Sequence, residues 1–276
     1  MFNVGLTQKP ARILGNLRDW HFLIRMLVAN FLIVPSLMIA LVYVTDFDPA
    51  LQAGLLTMSA CAGAPFLIKL TQTSANDIAL GATVMMVLVV GTVAFAPLIL
   101  PLIIEGVQVD SWAIATSLLR QLLLPIIVGM VLAQVFPRVR DVIQPLIARI
   151  GNYALYGVLV SSLVGYWPNL RGMIGTGAIA GGVAVLALAF WIGYLMGDGK
   201  DHLQDVGGLG TGQRNTAAAM IIAANNFTDP NTFVLVTVVN ALGIIMLMIF
   251  ARALSKDKAG SMLVNPTALR AERAES

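Results

Sequence analysis

Gln213, Arg214 and Asn215 stand side by side inside GLGTGQRNTAAAMIIAANNF, a glycine-rich and otherwise apolar run from Gly208 to Phe227. A guanidinium presents five donors in a planar fork, which suits a carboxylate, a sulfonate or a cluster of carbonyl oxygens. The amides of Gln213 and Asn215 and the hydroxyl of Thr216 add donors and acceptors beside it. A charge at membrane depth costs about 2.5–3.5 kcal/mol and needs a partner. Arg214 therefore reads either as a group that meets an anionic ligand or as a tie that bonds carbonyls freed by a helix break. The first reading is preferred here. Gly207, Gly208, Gly210 and Gly212, with Thr211 among them, permit such a break and a close crossing.

A second run has the same layout. In SACAGAPFLIKLTQTSANDIAL, Gly63, Ala64 and Pro65 mark an interruption, and Lys69 and Thr71 follow in the next half-helix. Lys69 either faces the same site or extends its amine to the membrane interface. Asn30, in the middle of ANFLIVPSL, either contacts the crossing or makes a plain interhelical hydrogen bond. Arg120 and Gln121 in LLRQLLLP correspond to it further along, and Pro35 and Pro125 kink their helices for packing.

Other chemistries lack their residues. GLGTGQR misses the third glycine of a dinucleotide fingerprint, and no phosphate loop is present. His21 and His202 are far apart and near membrane edges, and the single cysteine, Cys61, lies in an apolar run. No nucleophile–base pair or metal set can be assembled from these, so the chain is not read as an enzyme. A net charge of +3 is too small to argue for nucleic acid.

Composition says where these residues must sit. Of 276 residues 58% are hydrophobic and only 11% are charged, against about 25% charged in soluble domains. So little charge cannot coat a water-facing surface. The expected class is an all-α polytopic membrane protein with about eight transmembrane helices. The apolar segments run over about 18–44, 50–74, 77–103, 110–136, 141–166, 171–197, 203–227 and 231–253. The divisions are a leader at 1–17, a first, incomplete repeat at 18–103 with a broken helix at 50–74, a second repeat of five helices at 110–253 with a broken helix at 203–227, and a polar tail at 254–276. Lys9, Arg12, Arg138, Arg140, Lys200 and Lys256 fall on one side, while TDFDPA, IEGVQVDS and NNFTDPN carry no Lys or Arg. The positive-inside rule then places both termini in the cytoplasm of a multi-pass inner-membrane protein. Asp77 and Asp205 are expected near that face and solvated. Two broken helices at corresponding places point to an inverted-repeat secondary transporter. If the halves match, two further spans would precede residue 1.

At GTGQRNTAAAMIIAANNF, SACAGAPFLIKLTQTSANDIAL and ANFLIVPSL the chain resembles the bile acid:sodium symporter family. That resemblance implies ten spans in two inverted repeats, a panel and a core, with two discontinuous helices crossing; this chain would hold spans three to ten. It also implies Na+ as the coupling ion, but the ligand positions depart. Leu67 and Ile68 stand where sodium-coupled members carry Ser-Asn, Gly81 and Met85 where they carry hydroxyls, Gly210 where they carry Glu, and Arg214 and Asn30 where they carry Gln. Lys69 and Arg214 are accordingly expected to take the place of bound sodium, with no cofactor. The expected function is transport of a small organic anion by alternating access, with substrate met by Arg214, Gln213, Asn215, Thr216, Asn30, Lys69 and Thr71. The residues Gly210, Thr211, Gly212, Gly63, Ala64 and Pro65 form the crossing. Typical sodium symport is the nearest alternative, and a non-transporting membrane binding or sensor module, or a truncated fragment, is the alternative of another class.

Overall fold

Carboxylates start several helices. Asp48 accepts from Ala50 N at 2.9 Å, Asp77 from Ala79 N at 2.7 Å, and Asp110 from Trp112 N at 2.8 Å. Each satisfies an amide that the first helical turn leaves without a partner. The computed structural model describes residues 1–8, 10–104 and 110–264. Its helices are α1 (Phe2–Thr7), α2 (Pro10–Asn16), α3 (Trp20–Val44), α4 (Pro49–Ala60), α5 (Phe66–Thr73), α6 (Ile78–Ile103), α7 (Ser111–Val135), α8 (Pro137–Gly165), α9 (Trp167–Met173), α10 (Ala178–Leu195), α11 (Asp201–Gly212), α12 (Thr216–Asn226) and α13 (Pro230–Val264).

Among the described residues five helices are long and apolar enough to cross a membrane: α3, α6, α7, α10 and the Pro230–Lys256 part of α13. The expectation of about eight is thereby corrected, and with it the eight-helix inverted-repeat architecture read from the sequence. The physical reasons are local. The 50–74 segment divides into α4 with 12 residues and α5 with 8. The 203–227 segment divides into α11 with 12 residues and α12 with 11. At about 1.5 Å per residue none of these reaches the ~30 Å of a hydrocarbon core. The 141–166 segment lies in α8, which is 29 residues long but carries Arg138, Arg140, Asp141 and Arg149 in its first half. Length suffices there and composition does not. The protein is an all-α, multi-span membrane protein.

The interior is built around α4. All of its residues except Pro49 and Gln52 are buried, so it has no polar face and sits at the centre. It packs against α13, α3, α6 and α12. Large apolar side chains such as Leu98, Leu102, Trp112 and Leu195 are exposed on the outer helices, as lipid-facing residues are.

Both α3 and α7 contain a single π-turn, at Ala29–Ile33 and Leu119–Leu123, just before Pro35 and Pro125. Proline lacks the N–H that would continue the hydrogen-bond ladder, and the wider turn accommodates the mismatch. The first turn carries Asn30 inward; the second leaves Arg120 exposed.

The short α1 is docked by a glycine crossing. A Cβ on Gly5 would lie 2.1 Å from the Ile126 carbonyl oxygen of α7. Asn3 Oδ1 also accepts from Gln144 Nε2 of α8 at 3.1 Å. At the turn after α5, Asn76 Nδ2 donates to Asp205 Oδ2 at 3.2 Å, tying that turn to α11. Asp205 is buried rather than solvated as its position in the sequence suggested, because the α5–α6 turn covers it.

Candidate functional site

The interruptions in the two broken segments meet. Residues 61–65 separate α4 from α5, residues 213–215 separate α11 from α12, and Ala62 and Arg214 pair as an antiparallel bridge. Asn215 N donates to Cys61 O at 3.0 Å and Asn215 Nδ2 to Gly63 O at 3.0 Å, while Asn215 Oδ1 accepts from Ala218 N at 3.1 Å and caps α12. Thr92 of α6 closes the other side, accepting from Ala62 N at 2.8 Å and donating to Ala62 O at 3.0 Å. Gly63 has φ +77°, and a Cβ there would sit 2.4 Å from Val89 N, so the turn requires glycine. Unwound backbone inside a membrane protein persists only when its polar groups are satisfied in this way.

Arg214 lies beneath this crossing and is 1% exposed. Its Nη1 donates to Asn30 Oδ1 at 2.8 Å and to Thr211 O at 3.4 Å. Its Nε donates to Met58 O at 3.4 Å, and Nη2 donates to Asn30 O and to Ser59 O. Met58 and Ser59 end α4, and Thr211 ends α11. The C-terminal end of a helix carries roughly half a negative charge on its unpaired carbonyls. Two such ends converge on one guanidinium. Among the described residues no carboxylate pairs with Arg214; carbonyl and amide oxygens meet its charge instead.

Asn30 is the second member of this arrangement. It is fully buried, its Oδ1 faces Arg214, and its Nδ2 donates to Thr211 Oγ1 at 3.2 Å. Thr71 is also buried, but its hydroxyl donates to Leu67 O at 2.9 Å within α5. Gly210 and Gly212 pack against Leu67 and Leu247.

The opposite ends of the half-helices look the other way. The starts of α5 and α12 border a cavity of about 900 Å³. Ala64, Pro65, Lys69, Gln213, Asn215 and Thr216 line it, together with Gln72, Arg12 of α2 and Asn152 of α8. Lys69 is exposed, with Nζ 3.5 Å from Gln72 Oε1. Among the described residues no Asp or Glu lines the cavity, which has the side chains of Lys69 and Arg12 and the starts of α5, α6 and α12 at its edge. Such an environment favours an anion.

The residues singled out in the sequence thus fall into two groups. Arg214, Asn30 and Thr211 form the buried tie, with Gly63 beside it in the crossing. Gln213, Asn215, Thr216, Lys69, Ala64 and Pro65 wall the cavity. Thr71 belongs to neither. Arg12, Asn152 and Thr92 escape a sequence reading. Arg12 and Asn152 are remote in the chain, and only the packing of α2 on α6 and of α8 on α1, α7 and α13 brings them in. Thr92 could be noticed as a lone hydroxyl in the apolar VLVVGTVAF. Among the described residues no group of His, Cys, Asp and Glu could hold a metal ion.

A family profile described as "Sodium Bile acid symporter family" matches residues 1–171. A plant protein, "Probable sodium/metabolite cotransporter BASS2, chloroplastic" of Oryza sativa subsp. japonica, is 26% identical over 233 residues, which make up 83% of this chain and 54% of the relative. The chain therefore spans about half the length of that relative.

Proposed function

This chain belongs to the Sodium Bile acid symporter family, and on that premise we propose that it carries a small organic anion across the membrane by alternating access. The cavity at the starts of α5 and α12 is the substrate site in this reading. Its single strongest support is electrostatic. A cavity with Lys69 and Arg12 on its wall, the starts of α5, α6 and α12 at its edge and no acidic side chain among the described residues selects a negative charge. Lys69 and Arg12 attract the anion, and the first turns of α5 and α12, with Thr216, Asn215 and Asn152, orient it.

Arg214 has a different part. It lies outside the cavity lining and is held by carbonyls at the ends of α4 and α11. A sodium ion at the crossing would need those same oxygens as hard ligands. The guanidinium occupies them permanently, which supports its standing in for a bound cation. Lys69 is exposed at the cavity and does not reach those carbonyls, so the tethered-cation role falls to Arg214 alone. Binding of substrate then does not require sodium. The family's co-transported ion is dispensable here, and both termini lie on the cytoplasmic side, as the distribution of Lys and Arg suggests.

The test is uptake of labelled small organic anions into proteoliposomes, with an inward sodium gradient or with choline in its place. Equal uptake in the two conditions is expected. Uptake that demands sodium refutes the role of Arg214. Absence of uptake for every anion, with the protein folded, refutes transport and favours a binding module.

A further inference from the structure

Gln213 holds an oxygen that no described residue satisfies. The side chain is 2% exposed and walls the cavity. Its Nε2 donates to Arg214 O at 3.0 Å. That contact fixes which way the amide faces, because turning it over would set two carbonyl oxygens against each other. Oε1 is left buried with no hydrogen-bond partner among the described residues. A buried acceptor without a donor is a standing cost, which a ligand that brings a donor removes.

The rest of the cavity restricts what that donor can be. An ammonium group would have to approach Lys69, Arg12 and the positive ends of α5 and α12 with no carboxylate among the described lining residues to meet it. A neutral O–H suffers no such repulsion. We propose that Gln213 is a specificity residue, and that the preferred substrates are organic anions bearing a hydroxyl group close to the carboxylate. The inference rests on the cavity being the anion site proposed above. An oxo acid of the same skeleton presents a second acceptor to Oε1, and a plain acid presents a methylene; both leave the oxygen unpaired. Sites built to hydrogen-bond a substrate O–H reject analogues lacking it far more strongly than apolar pockets reject a changed methylene.

The test uses three acids of one carbon skeleton: 2-hydroxyisocaproate, 2-oxoisocaproate and isocaproate. Each is titrated calorimetrically into the purified protein and into a Gln213→Met variant. The wild type is expected to hold the hydroxy acid about tenfold to a hundredfold more tightly than either analogue, as one buried hydrogen bond allows. In Gln213→Met that preference is expected to vanish, and a cooperative thermal melt of the purified variant shows that it is folded. Equal affinities of the wild type for all three acids overturn the inference and leave the anion site standing; this arm needs no variant. A preference that survives in Gln213→Met assigns the hydroxyl to another group and also overturns it. If none of the acids binds the wild type, the anion site falls, and the inference with it.

Discussion

Replacing Arg214 by alanine removes the one positive group onto which the ends of α4 and α11 converge. The two firmest contacts, to Asn30 Oδ1 at 2.8 Å and to Ser59 O, are charge-assisted, whereas those to Met58 O and Thr211 O at 3.4 Å are long. Two charge-assisted bonds contribute about 1.5–3 kcal/mol each, and the helix ends add up to ~2 kcal/mol. Desolvation of the buried guanidinium offsets part of this, so the net loss on truncation is about 3–5 kcal/mol. In a chain of this size that is a fall in melting temperature on the order of 10 °C. The companion variant, Arg214→Gln, keeps a polar side chain but not the charge. The exposed carbonyl ends then present oxygen ligands to a free cation. Sodium at ten times its dissociation constant should stabilise Arg214→Gln by about 1.4 kcal/mol, and choline should not. Differential scanning fluorimetry of the purified protein across a sodium–choline series at constant ionic strength measures both effects. The reasoning fails if Arg214→Ala melts with the wild type. It fails equally if sodium stabilises the wild type as much as it does Arg214→Gln.

Three further outcomes are expected. Lys69→Gln and Arg12→Gln should each weaken anion binding a few-fold, as exposed charges do, and the double variant should lose most of the dependence of affinity on ionic strength; titration at low and high salt checks this. Thr92→Val leaves Ala62 N and O without their partner and should cost about 2–4 kcal/mol, with Thr92→Ser closer to the wild type in thermal melts. Gly5→Leu drives a side chain into the Ile126 carbonyl, where overpacking costs about 1–3 kcal/mol. It should lift α1 from α7, seen as faster hydrogen exchange over Phe2–Thr7, and unchanged exchange there would contradict the docking described.

The sequence was most informative where composition and backbone chemistry act locally. A charge content of 11% demanded a membrane. Glycine and proline in CAGAP and the glycines before Gln213 marked the ends of α4 and α11. It misled where one property had to stand for another. The broken segments 50–74 and 203–227 counted as two spans, yet their halves are each too short to cross. Across 141–166 apolar content looked like a third, but α8 is not among the five helices long and apolar enough to cross. Local patterns also placed Lys69 and Arg214 together, because both follow a break at similar spacing. In the fold Lys69 points into a cavity, whereas Arg214 points back into the helix ends.

The residue types alone determined that this chain is a helical membrane protein with interrupted helices and a buried arginine that must find oxygen partners. Only the tertiary structure decided which oxygens. The carbonyls of Met58 and Ser59 lie more than 150 residues from Arg214 along the chain, and no local rule links them. The division of labour followed from helix polarity: the C-terminal ends of α4 and α11 gathered around the guanidinium, while the starts of α5 and α12 turned toward the cavity. That arrangement left Gln213, a residue of the cavity lining, with a buried Oε1 that has no donor among the described residues.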